Sequence, residues 1–154
     1  MISADKTLGI VSREEENQIA RRMILWANSF PGLPDNIYDG AILYEQLVAD
    51  EPCMALSTIQ GTYITKRDIL GGHEAEYQYK IIYRIKPGSS MDERLKADEL
   101  LDKFGDWALS NLPDLGNGMR VVRNEPTTRS ALFDAYDNGD EDHQILMKLT
   151  YEVI

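Results

Sequence analysis

Residues 63–86 read YITKRDILGGHEAEYQYKIIYRIK, and this stretch decides the fold class. After Gly71-Gly72, the residues Ala75, Tyr77, Tyr79, Ile81, Tyr83 and Ile85 fall on one parity, while Glu74, Glu76, Gln78, Lys80, Arg84 and Lys86 fall on the other. Only Ile82 departs from the pattern. Strand side chains alternate between faces, so the segment predicts one buried and one wet face. Two glycines at the tip suit the positive φ angles of a tight hairpin turn. A two-residue loop there sets Leu70 opposite His73 and Ile64 opposite Tyr79, and a slip of one residue would exchange the faces. A two-faced antiparallel hairpin is scaffold, and it points away from a nucleotide-binding βαβ design.

A second hairpin mirrors the first near the C-terminus. Residues 144–154 alternate Ile145, Met147, Leu149, Tyr151 and Val153 against Lys148, Thr150 and Glu152. Residues 129–136 form the preceding strand. Between them Asp137-Asn138-Gly139-Asp140 carries the Asn-Gly signal of a type I′ turn. Residues 119–124 are a further strand candidate, and Ala41-Ile42-Leu43-Tyr44 and Met54-Ala55-Leu56 are read as two short strands.

Two helices complete the plan. Ser12 with Glu15 reads as a capping box, after which Ile19, Ala20, Met23, Ile24, Ala27 and Phe30 recur at helical spacing over residues 13–28. Pro31, Gly32 and Pro34 end this helix. Ser90 with Glu93 opens the second, over residues 91–110, whose apolar stripe is Ala97, Leu100, Leu101, Phe104, Trp107 and Ala108. Gly105 inside it costs about 1 kcal/mol relative to alanine and so implies a close packing contact. Helical spacing already explains Trp26 and Trp107 as core or interface anchors. The expected fold is α+β: an antiparallel sheet built from hairpins, packed against one long helix plus an N-terminal helix. One domain of residues 1–154 is expected, with residues 1–34 as an N-terminal helical extension.

A chain of 154 residues buries on the order of 70% of its unfolded surface without disulfides or metals. Cys53 is the lone cysteine, so a disulfide framework is excluded and the residue reads as a small core or edge side chain. Sixteen basic residues against 26 acidic ones give a formal net charge of −10. No basic block rises above that background, which argues against sequence-specific nucleic-acid binding. No apolar run is long enough for a membrane span, and no basic region followed by an apolar core marks a signal peptide.

The search for chemistry returns little. The acidic loop of Asp134, Asp137, Asp140, Glu141 and Asp142 fails as a calcium loop. Aligning Gly139 with the required glycine puts Tyr136 and Ile145 at ligand positions, so the loop reads as a solvated turn. His73 and His143 each sit beside a predicted turn and would meet, as zinc ligands, only if the hairpin tips were adjacent. Glu14-Glu15-Glu16 reads as a complement to a helix N-terminus. Phosphate loops, dinucleotide fingerprints and nucleophile elbows are absent. No catalytic residue, cofactor or metal site is expected.

The run FGDWALSNLPDLGNG, residues 104–118, followed by MRVVRNEPTTRSALFDAYDNGDEDHQILMKLTYEVI, residues 119–154, resembles the C-terminal half of a family of small phage and prophage proteins. That family is labelled minor capsid protein and is similar in plan to siphophage tail terminators. The resemblance covers residues 36–154 and rests on order: a proline-bearing segment Glu51-Pro52-Cys53-Met54, the Gly-Gly hairpin, the Trp107 helix, the Leu-Pro-Asp-Leu loop, and a closing hairpin beginning Ser130-Ala131-Leu132-Phe133-Asp134-Ala135. The longer N-terminus departs from the family. The resemblance implies a non-catalytic virion protein of the tail or neck, present in host cytoplasm during assembly. Its subunits would form a hexameric ring at the head–tail junction that caps the tail tube, meeting the tail-tube protein and the head-connector protein. Another neck or minor capsid assembly protein, or a small binding module, is the alternative. An acidic lumen would let DNA slide without holding it. Candidate channel or subunit-contact residues are Asp68, Gly71, Gly72, Glu74, Glu76, Asp137, Asp140 and Asp142.

Overall fold

The computed structural model describes residues 9–154; residues 1–8 of the expected N-terminal extension lie outside the described residues. The elements run α1 (Arg13–Ala27), β1 (Ile42–Tyr44), β2 (Cys53–Thr58), β3 (Tyr63–Arg67), β4 (His73–Ile85), α2 (Met91–Ser110), β5 (Met119–Pro126), β6 (Ala131–Ala135) and β7 (Glu141–Val153). The fold is α+β, with a seven-stranded sheet ordered β1-β2-β4-β7-β5 in which β3 also pairs with β4 and β6 with β7.

The sheet is organised by its two thirteen-residue strands. β4 and β7 pair antiparallel along their whole length, from His73 opposite Val153 to Ile85 opposite Glu141. Each long strand is flanked by two short ones: β3 and β2 share the outer edge of β4, and β5 and β6 share that of β7. β1 adds a short parallel pair against β2, so the sheet is mixed at that edge. Residues 45–52 loop back so that β2 runs in the same direction as β1, with positive φ angles at Glu45 and Asp50.

The odd-numbered face is the buried one. Ala75, Tyr77, Tyr79 and Ile81 of β4 join Ile145, Met147, Leu149 and Tyr151 of β7 in a core with Ile19 and Met23 of α1 and Leu101 and Phe104 of α2. Both helices thus cover one face, as the apolar alternation requires. Ser12 caps α1 by accepting the Glu15 N–H at 3.1 Å, and Ser90 caps α2 by accepting that of Glu93 at 3.2 Å. Asn28 ends α1 and docks it on the sheet edge: its amide accepts from the Ile42 N–H at 2.7 Å and donates to the Ile42 carbonyl at 3.0 Å. Gly105 lies where a Cβ would meet Ile145 Cδ1 at 3.0 Å and Pro126 Cβ at 3.3 Å. The missing side chain lets α2 lie close to β5 and β7.

Both hairpin tips differ from the tight turns expected. The first is a five-residue loop, Asp68 to Gly72, with Arg67 opposite His73 and Ile64 opposite Ala75 rather than Tyr79. The displacement is three residues at His73 and becomes four at Ile64 through a bulge between Ile64 and Lys66, so Ile64 still meets a buried position of β4. The Asp68 N–H donates to the Gly72 carbonyl at 2.8 Å and the Gly71 N–H to that of Asp68 at 3.1 Å. The second tip repeats this pattern, Tyr136 to Asp140 at 2.8 Å and Gly139 to Tyr136 at 3.0 Å. Within these two tips only Gly71 and Gly139 take positive φ, at 99° and 94°. Asn138 does not, so the Asn-Gly pair makes a type I turn closed by a left-handed glycine instead of a type I′ turn.

Candidate assembly surfaces

The antiparallel register places the two hairpin tips at opposite ends of the sheet. The β3–β4 tip lies beside Val153, where β7 ends, and the β6–β7 tip lies beyond Ile85, where β4 ends. Thirteen residues of strand separate them by about 40 Å. His73 and His143 are likewise kept apart, since His143 stands opposite Tyr83. The zinc site they would share does not form, and among the described residues no cluster of histidine, cysteine, aspartate or glutamate suits a metal.

Each histidine is instead engaged by a carboxylate. His73 Nε2 is 2.9 Å from Glu15 Oε2, which also accepts from the Tyr151 hydroxyl at 2.6 Å. Glu16, one residue on, accepts the Thr62 N–H and hydroxyl, each at 2.7 Å. The triple-glutamate run is therefore more than a helix-dipole complement: Glu15 and Glu16 bolt α1 to β4, β7 and the approach to β3. His143 Nδ1 lies 2.8 Å from Asp98 Oδ1, which also accepts from Ser130 Oγ at 2.8 Å. The serine bonds the carboxylate and not the imidazole, and His143 is buried. The trio ties α2 to β7 and to the β5–β6 link, and it presents no activated nucleophile.

The acidic loop is not a solvated turn as a whole. Asp137 is exposed, but Asp140, Glu141 and Asp142 are buried. Asp142 takes a two-pronged ion pair from Arg84 at 2.7 and 2.9 Å and a Tyr136 hydroxyl bond at 2.8 Å. Its hydrogen bonds raise the Arg84 guanidinium further above its ordinary range. Glu141 pairs with Arg94 at 2.7 Å, and that bond holds its carboxyl below the usual range. Asp140 accepts the Asp50 N–H at 3.0 Å and the Asn138 amide at 2.9 Å. These bonds clasp the loop before β2 to the second hairpin. Cys53 is buried beneath that loop, its thiol pushed up by burial.

Of the other candidates, Asp68 and Gly71 are exposed at the first tip and Gly72 is buried against Val153. Glu74 and Glu76 are half-buried; Glu76 accepts from the Tyr63 hydroxyl at 2.7 Å. The sequence offers Gly71 and Gly72 as candidates, and their neighbours carry the more unusual feature. Ile69 and Leu70 are 99% and 89% exposed, an apolar pair in the one place a strand assignment would hide. The available signal was two aliphatics directly before a glycine turn.

No protein-family profile matches the chain, and no curated protein matches it. A chain from a solved virion shares this fold. That chain, from the virion of a native gene transfer agent particle, superposes with a TM-score of 0.55 at 12% identity, covering 84% of this protein and 96% of the other. A second solved chain covers 94% of this protein and 96% of itself at 13% identity, with a TM-score of 0.44, too low to carry an argument. At such identity the first likeness concerns the fold alone.

Proposed function

We propose that this protein is a non-catalytic structural subunit of a phage-like virion, acting as a tail terminator: a ring of about six copies at the head–tail junction that caps the tail tube. The observation that carries this reading is the fold shared with a virion chain over 84% of this protein and 96% of the other. It is joined by the sequence resemblance, whose order of motifs runs in step with the elements of this fold. The exposed edge strand β6 supports assembly with neighbours, and the acidic balance of 26 against 16 supports a lumen through which DNA slides.

The two tips are chemically unlike and about 40 Å apart, so they serve different partners. Asp137, exposed on the second tip, is proposed to face the channel or the head connector. Asp140 and Asp142 are committed to bonds within the subunit, and their role there is to shape that tip. The test is light scattering of the purified chain combined with electron microscopy of tail tubes polymerised in its presence. Rings and tubes that end at a cap are expected. A strict monomer that neither binds tube ends nor stops their growth sinks the reading, and rings that bind connectors but never tubes favour a different neck protein.

A further inference from the structure

An apolar knob and an apolar-lined cavity of this molecule lie at opposite ends of the same strand. Ile69 and Leu70 project from the β3–β4 tip almost fully exposed. The turn holds them outward: Asp68 Oδ1 accepts the Leu70 N–H at 3.0 Å, and the Asp68 N–H is bonded to the Gly72 carbonyl. Two large aliphatics side by side on a stiff tip are a surface made to be covered. Lys66 and Arg67, both exposed, lead into the knob.

At the far end of β4, a cavity of about 460 Å³ opens between the proline segment, the last residues of β4 and the first turns of α2. Pro34, Pro52, Tyr83, Ile85, Ala97 and Leu100 form its apolar lining. Asn36, Glu93, Lys86 and Lys96 complete the lining, and the exposed Asp35 and Glu51 adjoin two of the lining prolines in the chain. Both lining lysines are paired, Lys86 with Asp50 and Lys96 with Asp92, which leaves the carboxylates of Glu93, Asp35 and Glu51 in excess around the opening. The exposed Lys66 thus precedes an apolar knob, and an apolar hole carries an excess of carboxylates once its two lysines are paired. The strand between them is about 40 Å long, so no molecule can fill its own cavity.

We infer that the Ile69-Leu70 knob of one copy seats in the cavity beside Tyr83, Ile85 and Leu100 of the next, with Lys66 against the acidic rim. Such a contact joins two different patches, so repetition propagates around a ring when its rotation closes. This inference rests on the ring reading above and names the surface that makes it. Heterologous seating of an apolar knob in a pre-existing hole is sufficient to drive ordered assembly.

Three variants test the contact in the full chain. Ile69→Asp with Leu70→Asp is expected to weaken self-association by roughly 100-fold, with the thermal midpoint unchanged because neither side chain packs within the subunit. Lys66→Glu weakens assembly, and adding Glu93→Lys in the same chain restores it. Leu70→Cys with Leu100→Cys forms intermolecular disulfides and a ladder of oligomers, while the buried Cys53 stays unreacted. A tip variant that assembles as the wild type does, with no cross-link, overturns the contact and leaves the ring reading standing. Rings that persist in the tip variant but no longer dock on tail tubes also overturn it, and assign the knob to the tube protein. A wild type that neither assembles nor caps tubes removes the ring reading and the contact together.

Discussion

Trp26 on α1 stacks on Trp107 of α2, ring centroids 5.1 Å apart and planes 22° from parallel. Phe104 meets Trp26 edge-on at 5.4 Å, and the Trp26 indole N–H donates to the Asn111 carbonyl at 2.6 Å. One side chain thus locks the first helix to the second and satisfies a carbonyl just beyond the end of α2. Trp26→Ala is expected to lose about 3–5 kcal/mol, the range for truncating a buried aromatic. Urea denaturation checks it; a loss below about 1 kcal/mol would show that α1 is an appendage and not part of the core.

Arg84 and Asp142 form a partly to fully buried ion pair, with side-chain exposures of 14% and 3%. Removing one partner strands the other's charge, so Asp142→Ala is expected to cost about 3–5 kcal/mol. Asp137→Ala, at an exposed position of the same hairpin, should stay within about 0.5 kcal/mol. Equal effects of the two substitutions on the denaturation midpoint would contradict the division of this loop into a buried half and a free half.

Glu16 accepts both polar hydrogens of Thr62, and both residues are buried. Glu16→Ala leaves an N–H and a hydroxyl without partners and is expected to destabilise by about 2–4 kcal/mol. Glu14→Ala, one position outside the joint, serves as the control and should be close to silent. Hydrogen exchange at the Thr62 amide gives an independent readout: faster exchange in the Glu16 variant alone is the expected result.

The Arg94 pair makes part of the stability acid-sensitive. The hydrogen bonds from Arg94 lower the Glu141 pKa in the fold, so the pair contributes above the ordinary glutamate pKa of about 4.3 and its contribution disappears as pH falls through the folded value. The stability gap between wild type and Arg94→Met should therefore be widest at neutral pH and close as the solution is acidified. A gap that stays constant down to acid unfolding would rule this linkage out.

At the alkaline end the core tyrosines dominate. Burial raises the phenol pKa of Tyr77, Tyr79 and Tyr151, because a phenolate would be stripped of water. A raised folded pKa stabilises fully below the unfolded value of about 10, and that contribution is lost as pH rises beyond it. Ultraviolet titration of the eight tyrosines is expected to show these three ionising only together with unfolding. Smooth, reversible ionisation of all eight in the folded state would refute it.

Local patterns were readable because their causes are local. The alternation from Ala75 to Ile85 named the buried face of β4, the serines at positions 12 and 90 named two helix starts, and Gly105 announced the close approach of α2 to the sheet. Glu15 and Glu16 were legible only as charges on a helix, since their partners Tyr151, His73 and Thr62 come from distant segments of the chain. Asp140 and Asp142 looked solvated for the same reason. Arg84, which neutralises Asp142, is far away in the chain and arrives through the β4–β7 pairing.

The sequence by itself determined the two-faced strands, the two capped helices and hence an α+β class, because side-chain period and capping chemistry depend on neighbours a few residues apart. Only the tertiary structure decided that the hairpin tips point to opposite ends, that the histidines never meet, and that an apolar knob and an apolar cavity terminate the same strand. Those outcomes follow from the register of β4 on β7 and the docking of α1 and α2 over it. Register is a long-range choice, set by how the buried faces of distant segments pack together.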